Sequence, residues 1–423
     1  MASSCFSPVV TANGIPYRRP DRPVVVVCID GGDPAYFTRG LADGIIPNVA
    51  RFMREGFSAL ATGTVPSFTC PNNVSIVTGA APSTHGISGN FYLDAATGQA
   101  VVMTGPELLR GTTVLAEFAG AGARVVSLAA KDKLRRQIGK GLEVGEGNIN
   151  FSSEKADRCT LAEHGIEQVL EFVGMPLPHM YSAELSLFVL EAGIRILERD
   201  RPAIMYLSLT DYIQHKYAPG AAEANRFYAA IDEAFGRLDA LGAVVALTAD
   251  HGMNDVAKPD GSPNVIWLQD ILDQEFGSGD TKVICPITDY FIAHHGALGG
   301  FVRVWCRGGR ATPPAIIRLA QDLPGIEAAL AREAVCRLYD LPPDREGDVA
   351  VIAQATFCIG GAEADHDLSE LGGFRLRSHG APSEATVPFI INRPLREDYA
   401  RRTTSGPLRN HQIFDFAING VAA

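Results

Sequence analysis

The chain has 423 residues, of which 46% are apolar and 20% are charged. This composition is ordinary for a globular protein with a large core, and it excludes a mainly disordered chain, a collagen-like repeat and a long coiled coil. The formal net charge of −11 argues against broad electrostatic binding to nucleic acid or to an anionic membrane, so positive charge that holds an anionic substrate must be local.

The first twenty residues lack the basic and apolar segments of a signal peptide, and no later stretch approaches the roughly 18 apolar residues of a membrane span. We therefore expect a cytoplasmic protein with no membrane partner. The eight cysteines include no C-x-x-C pair, which argues against a cysteine zinc site and a disulfide framework. Buried thiols are expected instead.

The amino-terminal part of the chain opens with a β-branched run over residues 24–29, which predicts a strand buried on both faces of a parallel sheet. Asp30 follows at its carboxyl end, where open α/β sheets bind ligands. The next predicted elements are a helix over 47–55, a strand over 58–65, a turn-rich segment over 66–73 and a helix over 74–79.

Strands and helices then alternate through the middle of the chain. The predicted strands cover 124–129, 203–209 and 244–248, and the predicted helices cover 113–121, 183–199 and 222–241. This alternation predicts an α/β fold, with a central, mostly parallel sheet covered by helices on both faces.

Residues 262–365 break the alternation, with strand-like runs at 300–305 and 349–357 around a helix at 313–323. We expect a small inserted α+β cap here. The core would then consist of residues 1–261 and 366–423, with its last strand at 387–391.

Side chains that can ligate metals follow three of the predicted strands. They are Asp30, Asp211 with His215, and Asp250 with His251, and His379 adds a further candidate near the carboxyl terminus. The four-residue spacing of Asp211 and His215 places both side chains on one face of a helical turn. Aspartate and histidine are ordinary Zn²⁺ ligands, and a carboxylate-rich set also suits Mn²⁺ or Fe²⁺.

The order and spacing of these residues resemble the alkaline phosphatase superfamily of metal-dependent phosphohydrolases. The closer resemblance is to its nucleotide pyrophosphatase/phosphodiesterase branch, and within that branch to the phosphonoacetate hydrolases. The matching segments are Cys28-Ile-Asp30-Gly-Gly32, Val65-Pro-Ser-Phe-Thr69-Cys-Pro-Asn72, Val77-Thr-Gly79, Pro82-Ser-Thr-His85-Gly-Ile87 with Asn90, Thr210-Asp211-x-x-x-His215, Thr248-Ala-Asp250-His-Gly-Met253 and Ser378-His-Gly380. The resemblance implies an alkaline-phosphatase-like core.

The resemblance also implies two divalent metal ions, with Zn²⁺ favoured over Fe²⁺ or Mn²⁺. Its first ligand set is Asp211, His215 and His379, and its second is Asp30, Asp250 and His251 with the oxygen of Thr69. A threonine hydroxyl is a poor nucleophile at neutral pH, and a bound divalent cation lowers its pKa. Thr69 is therefore the expected catalytic residue, although Ser67 and Cys70 beside it stay open as rival nucleophiles.

Further residues are expected to contact the substrate. The resemblance makes the amide of Asn90 a donor to a phosphoryl oxygen and adds His215 to the substrate-binding set. Lys131 and Lys133 follow a predicted strand, and in an extended chain their ammonium groups would point the same way while Asp132 points elsewhere. The sequence alone also allows a solvated charged loop here.

The resemblance favours a substrate-binding role for the two lysines, which would reach the carboxylate of the substrate. Cleavage of a carbon–phosphorus bond leaves an electron pair on carbon, and a neighbouring carboxylate can delocalise it. Cations that bind this carboxylate stabilise the charge that develops in the transition state.

The expected activity is hydrolysis of phosphonoacetate to acetate and phosphate through a metal-activated threonine and a phosphothreonine intermediate. The alternative is a phosphodiesterase or nucleotide pyrophosphatase, whose nucleobase slot would draw on Phe68, Tyr92, Tyr212 and Tyr217. A non-catalytic metal-binding or phosphate-binding protein is a third alternative.

The expected partner is a small anionic organophosphorus substrate, and no binding of nucleic acid is expected. A homodimer is the expected assembly. His85 is expected to have a structural role in its turn. His294 and His295 would either line the entrance to the site or lie on the surface.

Overall fold

A computed structural model describes residues 9–94, 97–145, 147–287 and 296–422. Its strands are β1 (Val9–Ala12), β2 (Ile15–Arg18), β3 (Val24–Cys28), β4 (Phe57–Thr62), β5 (Phe91–Leu93), β6 (Ala100–Val102), β7 (Val125–Ala129), β8 (Ile149–Ser152), β9 (Ile204–Ser208), β10 (Val244–Thr248), β11 (Asn254–Asp255), β12 (Val265–Trp267), β13 (Thr281–Ile284), β14 (Phe301–Cys306), β15 (Ile326–Ala331), β16 (Val349–Ala353), β17 (Cys358–Gly360), β18 (Arg377–Ser378) and β19 (Thr386–Ile391).

The α-helices of the described ranges are α1 (Pro34–Ala42), α2 (Pro47–Glu55), α3 (Thr69–Thr78), α4 (Pro82–His85), α5 (Val114–Gly120), α6 (Asp132–Ile138), α7 (Leu161–His164), α8 (Val169–Val173), α9 (Glu184–Asp200), α10 (Tyr212–Lys216), α11 (Ala222–Ala240), α12 (Leu268–Phe276), α13 (Pro313–Gln321), α14 (Arg332–Tyr339), α15 (Glu397–Arg402) and α16 (Ile413–Asn419). Short 3-10 helices cover Ser153–Arg158, Pro343–Arg345, Glu363–Asp365, Ser369–Leu371, Pro382–Glu384 and Asn410–Gln412.

The central sheet has seven strands in the order β4-β19-β10-β3-β9-β7-β8. The five strands from β10 to β8 are parallel, whereas β19 runs antiparallel to both β10 and β4. The predicted α/β fold with a mostly parallel sheet is therefore confirmed, and the antiparallel pair at one edge makes the sheet mixed.

Strand β3 shows why a continuous apolar run is needed at the centre of this sheet. Val25 and Val27 pack into a core cluster with α1, α2, α9 and α11, whereas Val24, Val26 and Cys28 pack into a second cluster with α3, α5 and α16. Successive side chains of a strand point to opposite faces, so helices on both faces bury every residue of β3.

A smaller antiparallel sheet, in the order β13-β14-β16-β15, lies between residues 281 and 353. Its apolar side chains share a third core cluster with Val65, Phe68, Ala381 and Ala385, so this sheet packs directly on segments that precede and follow it in the chain. The division of the chain into a core and a cap over 262–365 stays a prediction.

Two local predictions are wrong. Residues 69–73 are not a turn, because α3 begins at Thr69 and its Pro71 lies in the first helical turn, where a proline's missing N–H costs no helical hydrogen bond. The segment from Lys131 to Lys133 is not extended throughout either, because only Lys131, the N-cap of α6, has an extended backbone and the helix begins at Asp132.

No described helix is both long enough and apolar enough to cross a membrane. The seven described cysteines are free thiols, five of them buried, and Cys5 lies outside the described residues.

Candidate active site

The site lies at the carboxyl edge of the parallel strands, and the strand register assembles it. Cys28, the last residue of β3, pairs with Thr248 of β10 on one side and with Ser208 of β9 on the other. Each of these strands delivers an aspartate two or three residues later: Asp30, Asp250 and Asp211. Aspartates that are far apart in the sequence therefore meet on three adjacent strands.

One cluster contains Asp211, His215 and His379, which are all buried. A ligand atom from each lies within 4.8 Å of the others, and His215 Nε2 is 2.8 Å from Asp211 Oδ2. Asp211 is the N-cap of α10, whose single helical turn brings His215 back beside it, as the four-residue spacing predicts.

A second buried cluster contains Asp30, Asp250 and His251, again with ligand atoms within 4.8 Å of one another. His251 Nε2 lies 3.3 Å from Asp30 Oδ1 and 3.8 Å from Asp250 Oδ2. The two clusters adjoin, because the rings of His251 and His379 stack with their centroids 3.6 Å apart.

Backbone carbonyls fix the orientation of all three imidazoles. The Nδ1 atoms of His215, His251 and His379 donate to the carbonyls of Arg377, Gly252 and Ser67 at 2.9, 2.8 and 2.7 Å. Because a carbonyl only accepts, each Nδ1 carries a proton, and the neutral form of each ring then has its lone pair on Nε2. Histidines that ligate metals are usually held in this way.

The electrostatics of the clusters fit a pair of divalent cations. Burial, together with the nearby carboxylates of Asp211 and Asp250, raises the pKa of Asp30 well above its usual range. Burial and the neighbouring histidines His251 and His215 lower the pKa of His379. Asp30 Oδ1 is buried without a hydrogen-bond partner in the described structure. A bound cation would satisfy this oxygen and favour the ionised carboxylates.

Asp250 is held by backbone donors that require a special turn. The N–H groups of Gly31 and His251 donate to its Oδ1 at 3.2 and 2.9 Å. Gly31 has a φ of +66°, which L residues rarely adopt, so glycine is the residue that suits this turn.

Thr69 begins helix α3 beside the second cluster, and its Oγ1 lies 3.3 Å from His251 Nε2. Its rival Ser67 uses its hydroxyl to donate to the Ala381 carbonyl at 2.7 Å and to accept from Gly380 N. Cys70 is buried and lines the same cavity as Thr69. Of the two hydroxyls, that of Thr69 is therefore the one beside the metal-ligand candidates.

Asn73, which the sequence analysis missed, ties α3 to the second cluster. Its Nδ2 donates to the Thr69 carbonyl at 3.0 Å and to Asp250 Oδ2 at 3.1 Å. Its Oδ1 accepts from Tyr206 and Ser208 on β9 at 2.7 and 2.9 Å. Asn73 lies four residues after Thr69, a spacing that places both on one face of a helix. This spacing could have identified Asn73 only if a helix beginning at Thr69 had been predicted.

A cavity of about 290 Å³ opens in front of these groups. Seven of the predicted site residues line it: Asp30, Thr69, Asn90, Lys131, Lys133, Asp211 and His379. Asp250, His251 and His215 lie behind this lining within their clusters. The substrate contact expected for His215 stays a prediction.

The two lysines reach the cavity by a different geometry from the one expected. Strand β7 pairs in parallel with β9, Ala129 opposite Ser208, so Lys131 emerges at the same edge as the aspartates. Lys133 lies in the first turn of α6. Asp132 does not point elsewhere, because it also lines the cavity.

Two further cationic side chains, which were not predicted from the sequence, line the cavity. Arg136 comes from α6, and Lys155 follows β8, which pairs in parallel with β7. Both bind Asp132, at 3.1 Å each, as does the buried Arg135 at 2.7 Å. Despite its burial, the pKa of Asp132 is lowered by Arg135 and Lys155.

Four aromatic residues were considered for a slot that binds a nucleobase. Of these, only Phe68 is among the described residues that line the cavity. Tyr212 and Tyr217 pack elsewhere, against Tyr181 and Phe374. His294 and His295 lie outside the described residues.

His85 has the environment expected of a structural residue. Its Nδ1 accepts from Ile87 N at 3.1 Å, and its Nε2 lies 2.8 Å from Ser75 Oγ. Burial, with smaller contributions from His411 and Arg345, lowers the pKa of His85 from 6.5 to about 3.

Comparison with known proteins places this chain among hydrolases that act on phosphorus compounds. A sequence model of the family described as type I phosphodiesterase/nucleotide pyrophosphatase matches residues 24–312. An uncharacterized pyrophosphatase/phosphodiesterase of Schizosaccharomyces pombe is 24% identical over 263 residues, 59% of this chain and 47% of that protein. The match thus spans about half the length of this curated relative.

Two solved structures of phosphonoacetate hydrolase from Sinorhizobium meliloti 1021, in complex with phosphonoformate and with phosphonoacetate, are each 44% identical to this chain. Each match has a TM-score of 0.92 and covers 98% of this chain and 99% of the other. Murine ectonucleotide pyrophosphatase/phosphodiesterase 5, at 16% identity and a TM-score of 0.62, shares the fold over 95% of this chain and 96% of its own. These matches confirm the alkaline-phosphatase-like fold and the family resemblance.

The two clusters predict separable metal sites. Calorimetric titration of chelator-treated protein with Zn²⁺ should give a stoichiometry of about two, one ion for each cluster. Asp30→Asn and Asp211→Asn should each reduce this value to about one. Asp232→Asn is the matched control, because Asp232 is a buried aspartate that caps α2 away from both clusters. A stoichiometry that neither cluster variant changes would contradict the assignment.

His85 should make stability depend on pH below neutrality. Its pKa is lower in the folded than in the unfolded chain, so the neutral ring's full contribution is present above pH 6.5 and is lost as the pH falls toward 3. Urea unfolding should show a decrease of about 1 kcal/mol between pH 7.5 and 5.5 from this group. His85→Asn should remove about this much of the decrease and leave the part from the buried His411, whose pKa is also lowered to about 3. His179→Asn, at an exposed position, should leave the whole decrease. Identical pH profiles for the wild type and His85→Asn would refute this role.

Proposed function

Because the chain belongs to the type I phosphodiesterase/nucleotide pyrophosphatase family, we propose that it is the member that hydrolyses phosphonoacetate to acetate and phosphate. It is a hydrolase of phosphorus compounds, and its 44% identity to a phosphonoacetate hydrolase over 98% of the chain supports this substrate. The observation that carries the proposal is a single cavity lined by the metal-ligand candidates, Thr69 and two lysines.

The strand order supports a substrate with two anionic groups. Asp211 follows β9 and Lys131 follows β7, and adjacent strands are about 4.8 Å apart. A phosphonate beside the aspartate clusters thus leaves its carboxylate, one carbon away, on the side of the lysines.

Two divalent cations would be held by Asp211, His215 and His379, and by Asp30, Asp250 and His251 with Thr69. When bound, they would lower the pKa of the Thr69 hydroxyl and neutralise the phosphoryl oxygens. The three histidines and three carboxylates of this donor set favour Zn²⁺, with Fe²⁺ and Mn²⁺ as alternatives.

Thr69 performs the nucleophilic step. The Thr69 hydroxyl gives up its proton to solvent, and its Oγ1 forms a bond to phosphorus while the carbon–phosphorus bond breaks. The electron pair of that bond passes to carbon and is delocalised into the carboxylate. Lys131 and Lys133 bind that carboxylate and stabilise the developing charge. Water protonates the carbon to give acetate, and a second water hydrolyses the phosphothreonine to release phosphate.

Asn90 orients the phosphonate. It lines the cavity, and one amide N–H donates to the Ile287 carbonyl at 3.1 Å, which leaves the second N–H of the same group for a phosphoryl oxygen.

A cytoplasmic location and a homodimer stay predictions of the sequence.

Loss of the nucleophile should abolish turnover without emptying the metal sites. Thr69→Ala should lower phosphate release from phosphonoacetate roughly 10³-fold or more, because the nucleophile is removed while six other ligands stay. Thr69→Ser, which keeps a hydroxyl, is the matched control and should keep measurable activity. Release of phosphate by Thr69→Ala at the wild-type rate, with full metal content, would contradict the role of Thr69.

The lysines should matter for the carboxylate and not for phosphoryl esters in general. Lys131→Ala should lower kcat/KM for phosphonoacetate by roughly 10²–10³, as for other lost transition-state donors. Activity toward an aryl phosphate and a nitrophenyl nucleotide ester should change little. Lys216→Ala is the control, because Lys216 stacks on Tyr212 and Phe374 away from the cavity lining. Equal losses on all substrates would remove the carboxylate role.

A further inference from the structure

Residues 262–365 contain a buried ion pair, and its arginine contacts the loop between α4 and β5. Arg303 of β14 is 0% exposed, and Glu346 binds it through two hydrogen bonds, from Nε and Nη2, of 2.6 Å each. Removal of two charges from water carries a large desolvation penalty for each ion, and apolar pairs of similar volume are often as stable. The pair therefore invites an explanation other than stability.

The guanidinium of Arg303 also donates to the loop that carries Asn90. Nη2 donates to the Ser88 carbonyl at 2.7 Å, and Nη1 to the Phe91 carbonyl at 3.4 Å, so the two contacts bracket Asn90. Residues 86–90 lie between α4 and β5 and form neither helix nor strand. Their buried carbonyls depend on such donors from outside the loop.

The loop lies directly against its support. A Cβ atom on Gly89 would come within 2.7 Å of Pro286 Cβ and 3.1 Å of Arg303 Nη1, so only glycine fits this close approach without a shift. At the start of the loop, Arg345 donates to the Gly86 carbonyl.

Asn90 itself is oriented by the same segment. Its backbone N–H donates to the Pro286 carbonyl at 2.8 Å, and its Nδ2 donates to the Ile287 carbonyl at 3.1 Å. The side chain is buried and reaches the cavity that Thr69 also lines.

We infer that Arg303 is a positioning residue, which acts through Asn90 to set the affinity of the site for the phosphoryl group. The inference rests on the proposed function for the role of Asn90. It makes residues 262–365 part of the phosphoryl-binding machinery, although Arg303 is not among the residues that line the cavity.

The test replaces the ion pair as a unit, so that no unpaired charge stays buried. The double variant Arg303→Met/Glu346→Leu should lower kcat/KM for phosphonoacetate roughly tenfold to hundredfold, as expected for a misplaced binding group. Competitive inhibition by inorganic phosphate should weaken by a similar factor. Inhibition by acetate, which the lysines bind, should not change, whereas a general structural defect would weaken both. Arg332→Met, which removes the more exposed Arg332–Asp348 pair of the same segment, is the control.

Combination with Asn90→Ala gives the decisive comparison. If Arg303 acts through Asn90, the ion-pair variant should cause no further loss in the Asn90→Ala background. Additive losses, or equal weakening of phosphate and acetate inhibition, would overturn the inference.

A second route covers failure of the ion-pair variant to fold. Gly89→Ala leaves both charges in place and pushes the loop away from Pro286 and Arg303, so it should give the same selective weakening of phosphate inhibition. If phosphate and acetate inhibit the Gly89→Ala variant as strongly as they inhibit the wild type, the inference is overturned. If the wild type fails to cleave phosphonoacetate, the proposed function is wrong, and phosphate inhibition of aryl phosphate hydrolysis still tests Arg303.

Discussion

The in-register carboxyl ends of five parallel strands are the constraint on which the site depends. The order β10-β3-β9-β7-β8 turns five separate stretches of sequence into one row of side chains. The first three strands supply Asp250, Asp30 and Asp211, and the last two lead to Lys131 and Lys155. One edge of the sheet thus presents anionic groups beside cationic groups, and the cavity covers the boundary between them.

This arrangement explains how an acidic protein binds an anionic substrate. Burial, with a contribution from the nearby Asp211 carboxylate, raises the pKa of both Asp30 and Asp250, so bound cations would favour their ionised forms. The imidazole lone pairs, fixed by backbone carbonyls, complete two sets of ligands for such ions. Lys131 and Lys133 add positive charge at the start of α6, after the neighbouring strand β7, where a substrate carboxylate would lie.

The sequence predicted the parts of the site that follow from local patterns. Buried strands ending in aspartate, and Asp211 spaced four residues from His215, reveal position and chemistry without knowledge of the fold. The start of α3 at Thr69 escaped prediction because Pro71 and the asparagines after it read as a turn. The geometry of Lys131 and Lys133 was wrong because the N-cap of α6 depends on contacts such as that of Asp132 N with Glu154 Oε2, at 2.8 Å. Contacts of Arg303 with Ser88, 215 residues apart, leave no local pattern at all.

The proposed function depends on a Thr69 hydroxyl that lies beside the cation that Asp30, Asp250 and His251 would hold. Anomalous diffraction from crystals of the Zn²⁺-loaded protein tests it most directly. We expect two peaks, one among Asp211, His215 and His379 and the other among Asp30, Asp250 and His251, with Thr69 Oγ1 bonded to the second ion. Peaks elsewhere, or a Thr69 side chain turned away from both ions, would contradict it.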